Sequence, residues 1–191
     1  MVSLGELDRS QVDHLETLTF AAAGEHDPTW LPAPSDAREE IADALAPAIA
    51  SRVLLSDDEP IAWVATSHQW GHVWELHPLI VAIAHQRRGH GRRLVEAVEH
   101  HAAMHGGLTM WVGTSDTTAA TSLGGVDLYA DPLGALATIQ ARQPHAFRFW
   151  QRVGYRIVGV VPDAEGFGKP SLCLAKRLVP NPFGSGRLSP P

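Results

Sequence analysis

The chain has 191 residues, 45% of them hydrophobic and 19% charged, with a formal net charge of −6, which suits a globular domain with a sizeable core. It holds no run of about 18 apolar residues, so no membrane-spanning helix is expected, and its single cysteine, Cys173, rules out an internal disulfide and suits the cytoplasm. Residues 1–60 carry 13 acids against 3 bases and residues 61–191 carry 8 against 12, so the first part favours a cationic partner, or is simply a solvated acidic face, and nucleic acid is not expected as the main partner.

The opening Met1–Glu6 has neither a basic region nor a long apolar stretch, so no signal peptide is expected. Residues 9–22 read as a helix with Val12, Leu15, Leu18 and Thr19 on one side. Residues 24–35, with three prolines, read as a loop. Ser35-Asp36 opens a second helix with Ile41, Leu45 and Ile49 as its stripe. Arg52–Ser56 and Ile61–Ser67 are expected strands around the turn at residues 57–60. Val73–Ile83 is the next strand, and its second half, Leu79 to Ile83, is apolar on both faces, which places it centrally in a sheet.

A helix is expected over Gly89–His105, with Leu94, Val95, Val98 and Ala102 inward, and a strand over Leu108–Val112. Residues 113–141 are too long for plain loop, and part of the segment is expected to carry function or to form a small extra strand near Val126–Tyr129. Ala141–Val153 reads as a helix, and Tyr155–Val161 and Leu172–Arg177 as the last strands. The whole reads as one α/β (α+β) domain over residues 1–179, a mixed sheet flanked by helices, with a loose tail over 180–191.

The strongest chemical signal is Gln86-Arg87-Arg88-Gly89-His90-Gly91, set between an apolar strand and an amphipathic helix. A helix start presents unpaired N–H groups and the positive end of the dipole. Glycines let the backbone approach a diphosphate closely, and Arg87, Arg88, Arg92 and Arg93 add charge. A plain strand-to-helix turn is the alternative.

Gln-x-x-Gly-x-Gly in this setting resembles the coenzyme A pyrophosphate loop of the Gcn5-related N-acetyltransferases. The likeness extends to Trp74-Glu75-Leu76-His77-Pro78-Leu79-Ile80-Val81, to Gly107–Thr114, to Asp127-Leu128-Tyr129, and to Gly154–Val160 through Lys176. These stretches resemble the aminoglycoside 6′-N-acetyltransferases, especially the enterococcal type, over roughly residues 70–182. The resemblance implies a mostly antiparallel sheet with splayed strands, acetyl coenzyme A as donor, a cationic aminoglycoside as acceptor, direct transfer, no metal and a homodimer. It also implies that the amides of Leu79 and Val81 hold the thioester and pantetheine, that Leu79 polarises the acetyl carbonyl, and that the amides from Arg87 to Arg92, His90 among them, hold the pyrophosphate.

Glu75 and His77 are two apart on a strand and share a face. An alkylamine is mostly protonated at neutral pH, so something must bind the ammonium and take its proton. Glu75 suits both tasks, against the alternative of a carboxylate that only faces solvent. His77 is a weaker candidate, since a histidine before proline is often structural. Asp116 and Asp127 are candidate cation ligands or turn caps, and His26, Asp27 and Trp30 candidate lining of the site. His100, His101 and His105 include an i, i+4 pair but no third ligand at clear spacing, so a solvated helix face is expected. Phe149-Trp150 stands where family members often have Phe-Tyr, that tyrosine being the acid for the leaving thiolate. Tryptophan cannot fill that part, and Trp150 is instead a candidate for contact with the cofactor. The alternatives are an acetyltransferase for another small amine or peptide, or a non-catalytic acyl-coenzyme-A sensor.

Overall fold

In the computed structural model, which describes residues 1–182, seven strands form one sheet in the order β1-β2-β3-β4-β5-β7-β6. They are β1 (Val2–Gly5), β2 (Ile49–Ser56), β3 (Glu59–Trp70), β4 (Val73–Val81), β5 (Thr109–Ser115), β6 (Arg156–Val161) and β7 (Ser171–Arg177). Every pairing is antiparallel except that of β4 with β5. The helices are α1 (Val12–His26), α2 (Pro34–Ala44), α3 (His90–Met104), α4 (Pro132–Ala137) and α5 (Phe147–Arg152).

Neighbouring residues of the central strands bury opposite faces, which is why their sequences are apolar without alternation. Val53, Trp63, Ala65 and Ile80 pack with Leu15 of α1 and Ile41 and Ala44 of α2. Leu54, Ala62, Val64 and Leu76 pack on the other face with Leu94, Val95 and Val98 of α3. The indole Nε1 of Trp63 donates to Thr19 Oγ1 at 2.8 Å, so α1 is pinned by one buried polar contact as well as by apolar area. The β3–β4 hairpin closes through Gly71 and His72, with φ of +52° at Gly71, the left-handed geometry that a two-residue hairpin needs.

One strand is added to the expected set, and three expectations are corrected. β1 has an apolar/polar pattern too short to read as a strand, and it forms because its four residues pair with the edge of β2. No strand forms at Val126–Tyr129: Asp127 Oδ1 accepts the Tyr129 amide at 3.1 Å and closes a turn. The helix expected over Ala141–Val153 shrinks to α5, because Ala141 bridges Thr121 and Pro144 disfavours helical backbone before it. The strand expected to run to Ile83 stops at Val81, and Ile83–His85 forms a 3-10 turn. The expected tail lies outside the described residues from residue 183 onward. Among the described residues no helix is long and apolar enough to cross a membrane.

Candidate active site

The site is made by the parting of two strands. β4 pairs with β5 only from Val73 to Glu75, opposite Thr109 to Trp111. Beyond that, β5 stays paired with β7 as far as Ser115, while β4 stays paired with β3 as far as Val81. A cleft therefore opens between Leu76–Val81 and Val112–Ser115. Its β4 edge is polar. The Ala82 amide donates to Ile61 O at 2.9 Å, toward β3. Amides alternate in direction along a strand, so those of Val81 and Leu79 point to the open side. The Val81 carbonyl points there too, and it accepts Gln86 Nε2 at 3.3 Å.

A bulge displaces one residue of β4 between Leu76 and Leu79 relative to β3. Side-chain facing reverses across the bulge: Leu76 packs toward α3, and so do Leu79 and Val81. Glu75 and His77 precede the reversal and lie on the α1–α2 face. Trp111, in register with Glu75, shares that face.

At the mouth of the cleft Glu75 is half-buried. Burial pushes its carboxyl above the usual range, and the neighbouring His77 charge partly opposes the shift. The His77 side chain is 51% exposed, and the partial burial of its imidazole alone would lower its proton affinity. The hydrogen bond and charge of Glu40, with the charge of Glu75, outweigh this and hold it above the usual histidine value. His77 Nε2 lies 3.2 Å from Glu40 Oε1 of α2, and the Trp30 ring packs against the imidazole at 5.5 Å between centroids. The fold thus joins Glu75, His77 and Trp30, and it adds Glu40, which the sequence reading missed. Its signal was a carboxylate set among Ala37, Ile41 and Ala44, the buried stripe of α2.

At the far end of β4 the Gln86–Arg92 loop leads into α3. Gly89 caps the helix with φ of +86°, and Arg87 also takes a positive φ of 58°. The Arg93 amide bonds to Gly89 O, which leaves the amides of His90, Gly91 and Arg92 at the start of the helix for an anion. The two glycines serve different ends. A side chain on Gly89 would meet nothing, so its role is conformational, whereas one on Gly91 would come within 3.3 Å of the Phe149 ring. Arg87 and Arg88 are exposed. Arg92 pairs with Glu96, and Arg93 donates to Val2 O at 3.1 Å. His90 is held below the usual histidine value by partial burial and by the charges of His85, Arg88 and Arg93.

The remaining candidates are placed differently. Asp116 is 1% exposed. Its carboxylate accepts the Ala120 amide at 2.7 Å, the Thr121 amide at 2.9 Å and the Thr121 hydroxyl at 2.6 Å, so it organises a turn rather than presenting an open ligand. Asp127 is exposed and closes its own turn. Asp27 Oδ1 accepts from the Thr29 amide and hydroxyl at 3.0 and 2.7 Å. Burial opposes its ionisation, but these bonds and one from Thr117 keep it below the usual carboxylate range. That last contact ties the loop after α1 to the loop after β5. Trp150 is 7% exposed and packs edge-on against Phe149 and Tyr155 at 5.0 and 5.2 Å. It is a core residue, and the aromatic ring next to the loop is Phe149. His101 and His105 stack at 4.1 Å beside Trp74. Cys173 is partly buried and its thiol is pushed up by burial.

Comparison with known proteins accounts for this arrangement. The profile of the acetyltransferase (GNAT) family matches residues 12–135. A crystal structure of an aminoglycoside 6′-N-acetyltransferase complexed with coenzyme A is 32% identical, covers 94% of this chain and 99% of that one, and superposes with a TM-score of 0.83. The aminoglycoside 6′-N-acetyltransferase from Enterococcus faecium has the same identity and coverage with a TM-score of 0.81. An aminoglycoside 6′-acetyltransferase type Ii is 27% identical with a TM-score of 0.70. No curated protein sequence matches. With a profile match over well more than half its length, a sheet that parts between β4 and β5, and a glycine turn leading into α3, the chain belongs to the GNAT family of acetyltransferases.

Proposed function

We propose that the protein acetylates the 6′ amine of aminoglycosides, with acetyl coenzyme A as donor and no covalent intermediate on the enzyme. The observation that carries this reading is the 32% identity, over nearly the whole of both chains, to two aminoglycoside 6′-N-acetyltransferases. A half-buried Glu75 at the mouth of a cleft of the right kind supports it. The donor fits the residues present: unpaired strand amides line one edge, and helix-start amides with exposed arginines stand at the end.

In this reading the amides from Arg87 to Arg92 hold the pyrophosphate, and Gln86 steadies the turn through Val81 O. The Val81 amide holds the pantetheine arm, and the Leu79 amide donates to the thioester oxygen. Acetyl coenzyme A supplies an activated acyl carbonyl. Glu75 binds the acceptor as an ammonium and takes one of its protons, which frees a lone pair for attack. Trp30, His77 and Trp111 wall the acceptor side, and Asp27 adds negative charge where the α1 loop meets the β5 loop. The acidity of residues 1–60 suits a polycation. Trp150 supplies no proton to the thiolate. A cytoplasmic homodimer that works without nucleic acid or membrane completes the reading. The dimer rests on resemblance, and the lone Cys173 is compatible with a reducing compartment.

The test is coenzyme A release over a panel of amines. Kanamycin and tobramycin are acetylated at the 6′ position, whereas paromomycin, with a hydroxyl there, is not modified at that position. Equal turnover of paromomycin, or acetyl mapped by NMR to another ring amine, rejects the regiochemistry. Preference for a polyamine or peptide identifies an acetyltransferase of another acceptor.

A further inference from the structure

Glu40 sits within the buried stripe of α2, three residues after Ala37 and next to Ile41. Its side chain is only 20% exposed. A carboxylate withdrawn from water is costly unless it is paired, and its partner is the imidazole of His77 at 3.2 Å. Trp30 confines the same ring from the loop between α1 and α2. His77 is thus held by α2 and by that loop, while Glu75 stands two residues earlier on the same face, where β4 leaves β5.

We propose that Glu40 is a positioning residue for acetyl transfer, fixing the His77 ring beside Glu75 and favouring its imidazolium form, whose charge helps keep Glu75 an ionised proton acceptor. The inference deepens the reading given under Proposed function and rests on it. The three charges alternate in sign, with Glu40 at the protected end and Glu75 at the open end. The groups that act on His77 are Glu40 from α2 and Glu75 from its own strand, and Trp30 is uncharged. Burial holds Glu75 toward its protonated form, and the His77 charge opposes it. Removing the Glu40 charge therefore weakens the hold of His77 on its proton. A cation is lost from beside Glu75, and the pH at which Glu75 becomes a base rises. Glu40 acts only through the imidazole and needs no contact with the acceptor.

The test is the titration of the His77 ring by NMR, assigned with His77→Gln, together with pH profiles of kcat/KM for kanamycin, in wild type, Glu40→Gln and Glu40→Asp. In wild type the His77 midpoint lies above about 6.5. In Glu40→Gln it falls by about one pH unit, the size expected for loss of an adjacent opposite charge. The acidic limb of kcat/KM moves to higher pH, so activity drops several-fold near pH 6 and little near pH 8. Glu40→Asp keeps the charge and lies between. A wild-type midpoint below about 6.5 overturns the proposal, and so does an unmoved midpoint in Glu40→Gln or an equal loss of activity at every pH. The titration needs no substrate, so it decides the point even if no aminoglycoside is turned over, an outcome that would reject the substrate instead.

Discussion

Asp116 Oδ2 accepts both the amide and the hydroxyl of Thr121, at 2.9 and 2.6 Å, while its Oδ1 accepts the Ala120 amide at 2.7 Å. One buried carboxylate thereby ends β5 and folds back the next segment of chain. In Asp116→Asn a donor amide would face one of these donors. Hydrogen bonds to a charged group contribute about 1.5–3 kcal/mol each, so thermal melting should show a fall in Tm of about 5 °C or more. A change confined to KM for the aminoglycoside, with Tm intact, would return Asp116 to the role of direct ligand.

Glu75→Gln keeps the volume of the side chain and removes the group proposed to accept the proton. A general base contributes about 10²–10⁴-fold, and kcat/KM should fall within that range. Burial raises the Glu75 carboxyl, so the acidic limb of the wild-type profile lies above the usual glutamate value of about 4.3, and activity is lost as pH falls through it. The sign for stability is opposite to that of an ordinary paired carboxylate. A group whose folded pKa is raised stabilises the fold in its protonated form. Glu75→Gln should therefore melt higher than wild type at pH 8 and lose that advantage as the pH falls through the raised value. Equal melting temperatures at both pH values would contradict the burial penalty.

The glycines of the α3 turn should separate in calorimetry. Gly91→Ala puts a methyl group 3.3 Å from the Phe149 ring, tighter than ordinary contact. It should lower both Tm and donor affinity, and Phe149→Leu in the same chain should recover part of each. Gly89→Ala meets open space but must hold φ of +86°, at a cost of about 1–2 kcal/mol, and no change at Phe149 should rescue it. Rescue of both by Phe149→Leu would refute the distinction.

Trp150 is enclosed by Phe149 and Tyr155, and Tyr155 is itself 2% exposed with its phenol pushed far above the usual value by burial and the Glu99 charge. Neither ring offers a proton in the working range. Trp150→Phe should cost about 1–3 kcal/mol in a melt, as a shrunken core residue, and leave the basic limb of the pH–rate profile in place. Loss of a basic limb in that variant would show that a protein acid depends on Trp150.

Much of the fold is written locally. The stripe Leu94, Val95, Val98, Ala102 specifies α3, and the doubly apolar run from Leu79 specifies a central strand, since period and burial are properties of neighbouring residues. The glycine turn into α3 was legible because glycines between a strand and a helix are a local device. The illegible parts depended on partners remote in sequence. Val2–Gly5 is a strand only because β2 offers an edge, and Ala141 leaves the helical pattern because Thr121 bridges it, with Pro144 following. Trp150 reads as a site residue by position, yet it points into a core that only the packing of α5 on the sheet defines.

The sequence by itself determined the family, the turn into α3, and the placing of Glu75 and His77 on one face of a strand, because each follows from spacing within a few residues or from a likeness in linear order. Only the tertiary structure decided what surrounds that pair. Glu40 is 37 residues from His77 in the chain and 3.2 Å from it in the fold, and Asp116 turned inward because Ala120 and Thr121 had donors to be met in a place without water. Burial and electrostatic coupling are set by distance in space, and chain order does not carry that distance.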